Sequence, residues 1–231
     1  DGERHGKGKL LLKNGGITEG DWEQGGISQG KQLFIDEQGA SETYKGSFDP
    51  ETGAIHGQGS IKFSNGETYE GNFIQGFLHG YGVYKWKNAI YKGYFVNGTK
   101  DGYGEYSSDE PFDAGAYKYD RYNGEFKNDL FNGVGALFLG NKIIYIGNFV
   151  DDLRGGYGIL ASGVSGIFGE DGDRGFIKGQ WKNSVHGIGS KVYADGSSYE
   201  GLYKNGDRHG MGKLNYPSEK KSQVGYFVDG E

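Results

Sequence analysis

The chain of 231 residues contains 47 glycines, 18 tyrosines, 14 phenylalanines and no cysteine, and its formal net charge is −6 at pH 7. The acidic balance argues against a nucleic-acid binder, which needs a basic face to displace phosphate counterions. The lack of cysteine excludes disulfides and thiolate metal sites. With 34% hydrophobic residues a thick core is unexpected, yet 15% aromatic residues are too many for a disordered chain.

Two glycine-containing motifs alternate along the whole chain. The clearest copy reads Tyr-Glu-Gly-Asn-Phe at residues 69–73 and continues as His-Gly-Tyr-Gly-Val-Tyr at residues 79–84. Most copies are 22 to 24 residues apart, and three steps are longer, at 27, 31 and 31. A fixed period of this size indicates a repeat array in which each repeat contacts its neighbours. The motif glycines are residues 20, 46, 71, 93, 124, 147, 179, 201 and 225, and residues 6, 30, 57, 80, 102, 133, 156, 187 and 210.

Each copy has the alternation of a β-hairpin. Large residues alternate with polar ones at residues 69–73, Gly76 marks a turn, and a second series with period two follows at residues 80–86. The dipeptides Asn65-Gly66 and Asp195-Gly196 predict tight turns between repeats. The sequence therefore predicts an all-β fold of about nine hairpins and roughly 18 strands, an elongated single-layer antiparallel sheet twisted into a trough.

The array is regular except at a few places, taken here in chain order. A partial repeat at His5 comes first, and the second repeat has Thr18 in place of tyrosine. We expect insertions at 49–55, 111–121 and 163–175, and a partial repeat ending at Phe227. The two longer insertions either are tolerated loops or select a partner.

The pattern Tyr-x-Gly-x-Trp/Phe-x-x-Gly-x-x-His-Gly-x-Gly resembles the MORN (membrane occupation and recognition nexus) repeat, and the resemblance covers essentially the whole chain. Good copies begin at Tyr69, Tyr91, Tyr145 and Tyr199, and another contains Trp181. The resemblance implies one MORN array over residues 1–231. It also implies a non-enzymatic, cytoplasmic scaffold or adaptor in cytoskeletal, ciliary or membrane-cortex assemblies.

All five histidines occupy one position of the repeat, directly before a glycine: His5, His56, His79, His186 and His209. Neighbouring copies stand two strands apart, about 9.6 Å, which is too far to share one metal ion. We therefore interpret them as hydrogen-bonding residues at a strand entrance. No phosphate-binding loop or nucleophile elbow is recognisable, so we predict no catalytic, cofactor-binding or metal site and no enzyme activity.

The aromatic rings are the predicted contact surface for a protein partner, because a single-layer sheet cannot bury both faces and exposed aromatic strips mark interaction sites. The partner would be an extended or helical segment, and Tyr84 and Tyr106 are its expected anchors unless the insertion 111–121 recognises it instead. The predicted partner-binding residues are Trp22, Phe48, Tyr69, Phe73, Tyr84, Tyr91, Phe95, Tyr106, Phe126, Trp181 and Tyr199.

Three other associations remain open at this stage. Anionic phospholipid would bind weakly to the most basic stretch, which contains Lys204, Arg208, Lys213, Lys220 and Lys221. The array could instead be the regulatory repeat region of a larger enzyme, since MORN arrays precede enzyme domains. Unpaired strand edges would allow an end-to-end homodimer.

Overall fold

The computed structural model describes residues 2–113, 118–161, 174–182 and 185–231. These residues fall into two compact units. Unit 1 comprises Asp1–Asp109 together with Lys127–Asp129, and unit 2 comprises Glu110–Phe126 together with Leu130–Glu231. Each unit is an antiparallel sheet in which the strands follow one another in chain order.

Unit 1 contains the strands β1 to β8 and most of β9. From β1 to β9, consecutive strands pair antiparallel. The strands are β1 (Gly6–Leu11), β2 (Ile17–Glu23), β3 (Gly26–Ile35), β4 (Ser41–Phe48), β5 (Ile55–Lys62), β6 (Thr68–Ile74), β7 (Phe77–Lys85), β8 (Ala89–Val96) and β9 (Thr99–Asp113).

Unit 2 contains the end of β9, nearly all of β10 and the strands β11 to β18, with one 3-10 turn at Pro217–Glu219. In the described part of this unit, too, consecutive strands pair antiparallel from β10 to β18. The strands are β10 (Lys118–Lys127), β11 (Leu130–Leu139), β12 (Lys142–Val150), β13 (Leu153–Ala161), β14 (Arg174–Lys182), β15 (Val185–Val192), β16 (Ser198–Lys204), β17 (Asp207–Tyr216) and β18 (Lys221–Phe227).

The predicted all-β architecture of sequential antiparallel hairpins is confirmed. The described residues form 18 strands and no α-helix. One insertion differs from its expectation as a loop, because residues 111–113 end β9 and residues 118–121 begin β10. Residues 49–54 of the first insertion form the turn between β4 and β5, and residue 55 begins β5. In the third insertion residues 163–173 lie outside the described residues, and residues 174–175 begin β14.

Two kinds of turn join the strands. Inside a repeat the turn has two residues with positive φ, as in Gln75 (49°) and Gly76 (85°), which matches the right-handed twist of a hairpin. The Gly76 N–H also donates to the Ile55 carbonyl at 2.8 Å, so this turn is tied to the preceding repeat. Between repeats, the predicted turn at Asn65-Gly66 is present, and the Asn65 side chain accepts the Glu67 N–H at 3.0 Å.

The glycine of the His-Gly motif lies at a β-bulge. In β7 the pairing with β6 shifts between Gly71 and Asn72, and Gly80 has φ 63°. A residue with a side chain is strained in this left-handed region, so the backbone there requires glycine. Positive φ recurs at the same position in Gly57, Gly102, Gly133, Gly156 and Gly210.

The glycines of the Tyr-x-Gly motif serve a different purpose, which is to make room for a ring. Tyr69 is fully buried, its ring lies against Gly71 and Gly82 on paired strands, and its hydroxyl donates to the Asn72 carbonyl at 2.9 Å. A Cβ on Gly71 would stand 2.5 Å from that hydroxyl oxygen. The same hydroxyl bond to the carbonyl three residues on recurs at Tyr44, Tyr91, Tyr122, Tyr145 and Tyr199, at 2.7 to 3.1 Å.

Neighbouring repeats interlock through these rings. The Tyr69 ring meets Phe73 of its own strand edge-on at 5.1 Å and Phe95 of the next repeat edge-on at 5.2 Å. In unit 2 the Tyr145 ring meets Phe149 and Trp181 in the same way, each at 5.2 Å. Edge-to-face aromatic pairs contribute about 0.5–1.5 kcal/mol each beyond their buried area. The core of each unit is therefore a row of rings on one face of its sheet, in which tyrosines alternate with phenylalanine or tryptophan.

Replacing Gly82 by alanine should destabilise the protein, because the new Cβ would overlap the Tyr69 ring. Overpacking of this kind costs about 1–3 kcal/mol, and each kcal/mol lowers Tm by roughly 2–4 °C in a chain of this size. Gly225→Ala is the matched control, since a Cβ there meets nothing within 4 Å and φ is not positive. Thermal unfolding followed by circular dichroism should separate the two variants; equal Tm values would contradict the proposed packing.

Candidate functional site: the two faces of the sheet

Nine of the eleven predicted partner-binding rings are buried, with at most 7% of each residue exposed. They form the core described above, so their expected role as an exposed contact surface is corrected. The physical reason is that the core tyrosines lie against the motif glycines, and phenylalanine and tryptophan rings of the same and the adjacent repeats pack edge-on against them, which buries these rings on one face of the sheet. The nine are Trp22, Phe48, Tyr69, Phe73, Tyr91, Phe95, Phe126, Trp181 and Tyr199.

Tyr84 and Tyr106 are partly exposed, and they belong to a second aromatic row at the strand ends of unit 1. The ring centroids of Phe63 and Tyr84 are 5.7 Å apart in a stacked pair. Those of Tyr84 and Trp86 are 4.4 Å apart, and those of Trp86 and Tyr106 are 6.2 Å apart. We call these four residues the aromatic ladder. The Tyr84 hydroxyl donates to Glu67 Oε2 at 2.5 Å, and burial together with this carboxylate raises the pKa of Tyr84. The ladder is the surviving part of the predicted aromatic surface.

Basic side chains cover the core rings at one recurring position, two residues before the bulge glycine. Lys100 Nζ lies 5.6 Å from the Trp86 ring centroid and 5.8 Å from that of Tyr91, and it pairs with Asp129 at 3.7 Å. Arg154 lies 4.9 Å from the Trp181 ring. Cation–π contacts of this kind contribute about 0.5–2 kcal/mol, depending on exposure. These cations therefore belong to the core rather than to a surface charge patch.

The opposite face of unit 1 carries exposed tyrosines that sequence reasoning did not select. Tyr81, Tyr94 and Tyr103 are 52%, 51% and 61% exposed. Tyr81 and Tyr94 are register partners on β7 and β8, and their rings meet edge-on at 5.7 Å. For Tyr81 and Tyr103 the sequence contains a signal. Each lies between two motif glycines, and strand alternation places that residue on the face opposite the core.

The same face forms an open groove across strands β1 to β6, with a volume of about 830 Å³. The motif glycines leave its floor as bare backbone, and two rows of side chains run along it from strand to strand. The first row is Lys7, Asp21, Gln29, Ser47, Gln58 and Asn72, and the second is Lys9, Glu19, Lys31, Lys45, Ser60 and Glu70. We call this surface, with its continuation into Tyr81, Tyr94 and Tyr103, the groove face.

Polar side chains on the groove face are joined across repeats. Gln29 Nε2 donates to Ser47 Oγ at 2.5 Å, and Gln58 Nε2 donates to Asn72 Oδ1 at 2.7 Å. Lys31 stands directly opposite Lys45 on the adjacent strand, and both are exposed. Neither lysine forms an ion pair with any residue that the structure describes. Two like charges in register destabilise a sheet, so this pair calls for a reason.

The corresponding face of unit 2 is more apolar. The residue between two motif glycines is Val134, Tyr157, Ile188 or Met211 in successive repeats, and each is more than half exposed. Leu202 and Tyr226 are their exposed neighbours: Ile188 is the register partner of Leu202, and Met211 that of Tyr226. The face opposite the core thus varies while the core face repeats.

The five predicted lipid-contact residues do not form one patch. Arg208 packs over the rings of Tyr199 and Phe227 and donates to the Gly230 carbonyl. Lys204 pairs in register with Asp207 at one end of β17, whereas Lys221 pairs with Tyr216 at the other end, roughly 30 Å away along a strand of 10 residues. Lys213 and Lys220 are exposed, on β17 and in the turn after it. Lipid contact by this stretch stays a prediction.

His56, His79 and His209 stand beside the bulges of their strand pairs. The Nδ1 atoms of His56, His79 and His209 are buried, and His209 lies 3.9 Å from an Asp229 carboxylate oxygen. Across residues 2–113, 118–161, 174–182 and 185–231, no three acidic or imidazole side chains are grouped as metal ligands. Nor does this part of the chain contain a helix with the length and hydropathy that a bilayer crossing needs.

The repeat identified by these contacts matches a known family. The family model described as MORN repeat matches eight segments, at residues 1–17, 53–68, 69–88, 91–109, 122–138, 145–163, 178–198 and 199–220. The chain belongs to the MORN-repeat family. The tyrosine–glycine contact and the bulge glycine described above are thus the structural basis of its MORN motifs.

Curated relatives contain similar sequence. The chain is 34% identical to human ALS2 C-terminal-like protein over 121 residues, which is 52% of this chain and 10% of that protein. It is 33% identical to mouse and human alsin over 162 residues, which is 66% of this chain and 9% of alsin. The chain therefore spans about a tenth of the length of these relatives.

A solved structure that matches this chain is the TCP domain of SAS-4 (dCPAP) in complex with a proline-rich motif of Ana2 (dSTIL) from Drosophila melanogaster. The match covers 96% of this chain and 90% of that one, with 11% sequence identity and a TM-score of 0.28. At that TM-score the likeness has no bearing on the function of the MORN chain.

The buried tyrosines predict a loss of stability at high pH. Burial raises the pKa of Tyr44 and Tyr69 from the usual value near 10 to about 12. Between these values the unfolded chain loses protons that the folded chain keeps, so the free energy of unfolding falls as pH rises through this window. Tyr69→Phe should cost about 1 kcal/mol at neutral pH through its lost hydrogen bond and should make this fall shallower. Urea unfolding from pH 9 to 12 tests this, and an unchanged slope would contradict it.

Proposed function

We propose that this MORN-repeat chain is a non-enzymatic binding module that holds an extended segment of a partner protein along the groove face of unit 1. The observation that carries the proposal is the contrast between the two faces. On one face the aromatic rings are buried in the core, while the other face presents exposed side chains around a groove of about 830 Å³. Binding sites in proteins are concave and typically enclose about 300–1,000 Å³.

The interlocked core supports this role. Its rings hold the strands at a fixed spacing, and the hydrogen bonds between Gln29 and Ser47 and between Gln58 and Asn72 fix side chains on the groove face before a partner arrives. A preformed surface loses little conformational entropy on binding, so more of the contact energy appears as affinity. The exposed tyrosines supply the residue type that most often anchors interfaces.

The groups with shifted pKa values do not point to catalysis in the groove. Burial or hydrogen bonding shifts the pKa of several core and ladder tyrosines and of the turn aspartates Asp49 and Asp195. None of these groups lines the groove. Catalytic groups usually have shifted pKa values within a cleft, so the proposal is binding without turnover.

The setting that we propose is a cytoplasmic scaffold or adaptor in a cytoskeletal, ciliary or membrane-cortex assembly. A second candidate is the regulatory repeat region of a larger protein, which the length of the relatives favours, because the matched segment is only 9–10% of alsin and of ALS2 C-terminal-like protein. The two candidates are compatible, since a groove that grips a segment serves either an adaptor or a regulatory region.

Peptides selected from a random display library on this protein should depend on the groove face. Tyr94→Ala should weaken selected peptides at least about thirtyfold, as expected for a hot-spot aromatic worth about 2 kcal/mol. Tyr84→Ala and Tyr106→Ala are the matched controls on the aromatic ladder, and they should change affinity by less than about threefold. Each peptide is measured by fluorescence anisotropy.

The opposite pattern would overturn the proposal. If the selected peptides tolerate Tyr94→Ala and fail with Tyr84→Ala or Tyr106→Ala, recognition belongs to the aromatic ladder. If the library yields no peptide that binds, the groove is not a peptide site. Circular dichroism on each variant verifies that the fold is intact.

A further inference from the structure

We propose that the groove face selects a two-part segment: a cluster of carboxylates that lies against Lys31 and Lys45, and an apolar or aromatic anchor about six residues away that lies against Tyr81 and Tyr94. This inference rests on the proposed function and specifies the chemistry of the partner. Three features carry it: the lysine pair in register, the exposed tyrosine pair, and the distance between the two pairs.

Lys31 and Lys45 are two like charges in register on the groove face. Lys7 stands opposite Asp21 and Lys9 opposite Glu19, so these two lysines have acidic register partners. Lys31 has Glu19 as its other register partner, whereas Lys45 has only Lys31 and Ser60 and therefore no acidic register partner.

A third lysine and two acidic residues complete the neighbourhood. Lys62 adds positive charge on the same face, two residues beyond Ser60, while Glu19 and Glu70 stand at the two flanks of the pair. The repulsion between Lys31 and Lys45 is a cost to the free sheet, and an acidic partner removes it. This charge stands out on a chain with a net charge of −6, so it would steer an acidic segment to this part of the groove.

The tyrosine pair provides the anchor site. Tyr81 and Tyr94 expose about half of their surface, and they extend the first row of the groove beyond Asn72. Their ring centroids are 5.7 Å apart in an edge-on contact, and the exposed half of each residue is available to a partner. Offset or edge-on aromatic stacking on such a pair favours a partner side chain of phenylalanine, tyrosine, tryptophan or leucine. Tyr103, two strands along from Tyr81, enlarges the site.

The spacing of the two sites sets the spacing in the partner. Lys31 and Lys45 are on β3 and β4, and Tyr81 and Tyr94 are on β7 and β8, which is a shift of four strands. At about 4.8 Å per strand the two sites are about 19 Å apart, and an extended chain covers this distance in about six residues. Between the sites lie Gln58 and Asn72, already hydrogen-bonded to each other, so the middle of the partner gains little from side chains.

Synthetic peptides test the proposal directly. A fluorescein-labelled peptide with three glutamates, a Gly/Ser spacer and a Trp-Phe anchor, with six residues from the centre of the acid cluster to the anchor, is titrated with the full chain. It should bind at least tenfold tighter than peptides in which serines replace either the glutamates or the anchor. Separations of three or twelve residues should each lower the affinity at least threefold.

Variants of the lysine pair assign the acidic site. The double change Lys31→Glu with Lys45→Glu should weaken the three-glutamate peptide at least tenfold and leave the anchor-only peptide unchanged. A peptide with lysines in place of the glutamates should regain binding to this double variant. Lys31→Ser with Lys45→Ser should also weaken this peptide, but by less, because it removes the attraction without adding repulsion. Lys178→Glu with Lys221→Glu in unit 2 is the control for net charge, since it lowers the charge by the same amount away from the groove. Thermal unfolding verifies that every variant is folded.

The outcomes distinguish this inference from the proposed function. If the affinity does not depend on the number of residues between the acid cluster and the anchor, the two-part selection is wrong. It is also wrong if the affinity is unchanged in both lysine double variants. If display peptides bind the groove and depend on Tyr94 but carry no acidic cluster, the two-part selection is wrong and the proposed function stands. If neither the designed nor the selected peptides bind, both are wrong. Binding of the three-glutamate peptide that weakens with salt, while the anchor-only peptide does not, supports the charge assignment.

Discussion

The structure depends on the contact between a tyrosine ring and two glycines on paired strands. At Tyr69 the ring covers the backbone of Gly71 and Gly82, the hydroxyl is tied to the carbonyl three residues on, and two phenylalanine rings close its edges. The contact therefore satisfies the polar end of the tyrosine and buries its apolar body in one step. Because one of the two phenylalanines comes from the next repeat, every copy also couples adjacent hairpins.

This packing determines which residues are available for recognition. A strand exposes alternate residues to opposite faces, and the core uses all the motif positions on one of them. The residues between the motif glycines are left free to differ, and they do: Gln58 is polar, Tyr81 is aromatic and Met211 is apolar at equivalent places. In each strand, alternate residues thus pack the core and form the opposite surface, so a binding surface can change without altering the packing of the core.

The periodicity of the sequence was sufficient to predict the hairpins, their order and the turns at Asn65-Gly66 and Gly76, because these follow from local alternation and backbone preferences. It was not sufficient to assign the rings, since alternation shows that Tyr69 and Phe73 share a face but not whether that face is covered. Nor does the sequence distinguish a glycine needed for its φ, such as Gly80, from one needed to seat a ring, such as Gly71. The basic residues predicted to contact lipid are close in sequence but not in space, because Lys204 and Lys221 lie beside opposite ends of β17.

Charge illustrates the same separation between composition and surface. Lys100, Arg154 and Arg208 cover core rings, so they add to the count of cations without offering a contact patch. Lys31 and Lys45 are on the other face and line the groove. A chain with a net charge of −6 can therefore attract an acidic segment, because a partner responds to the local potential of the groove rather than to the total.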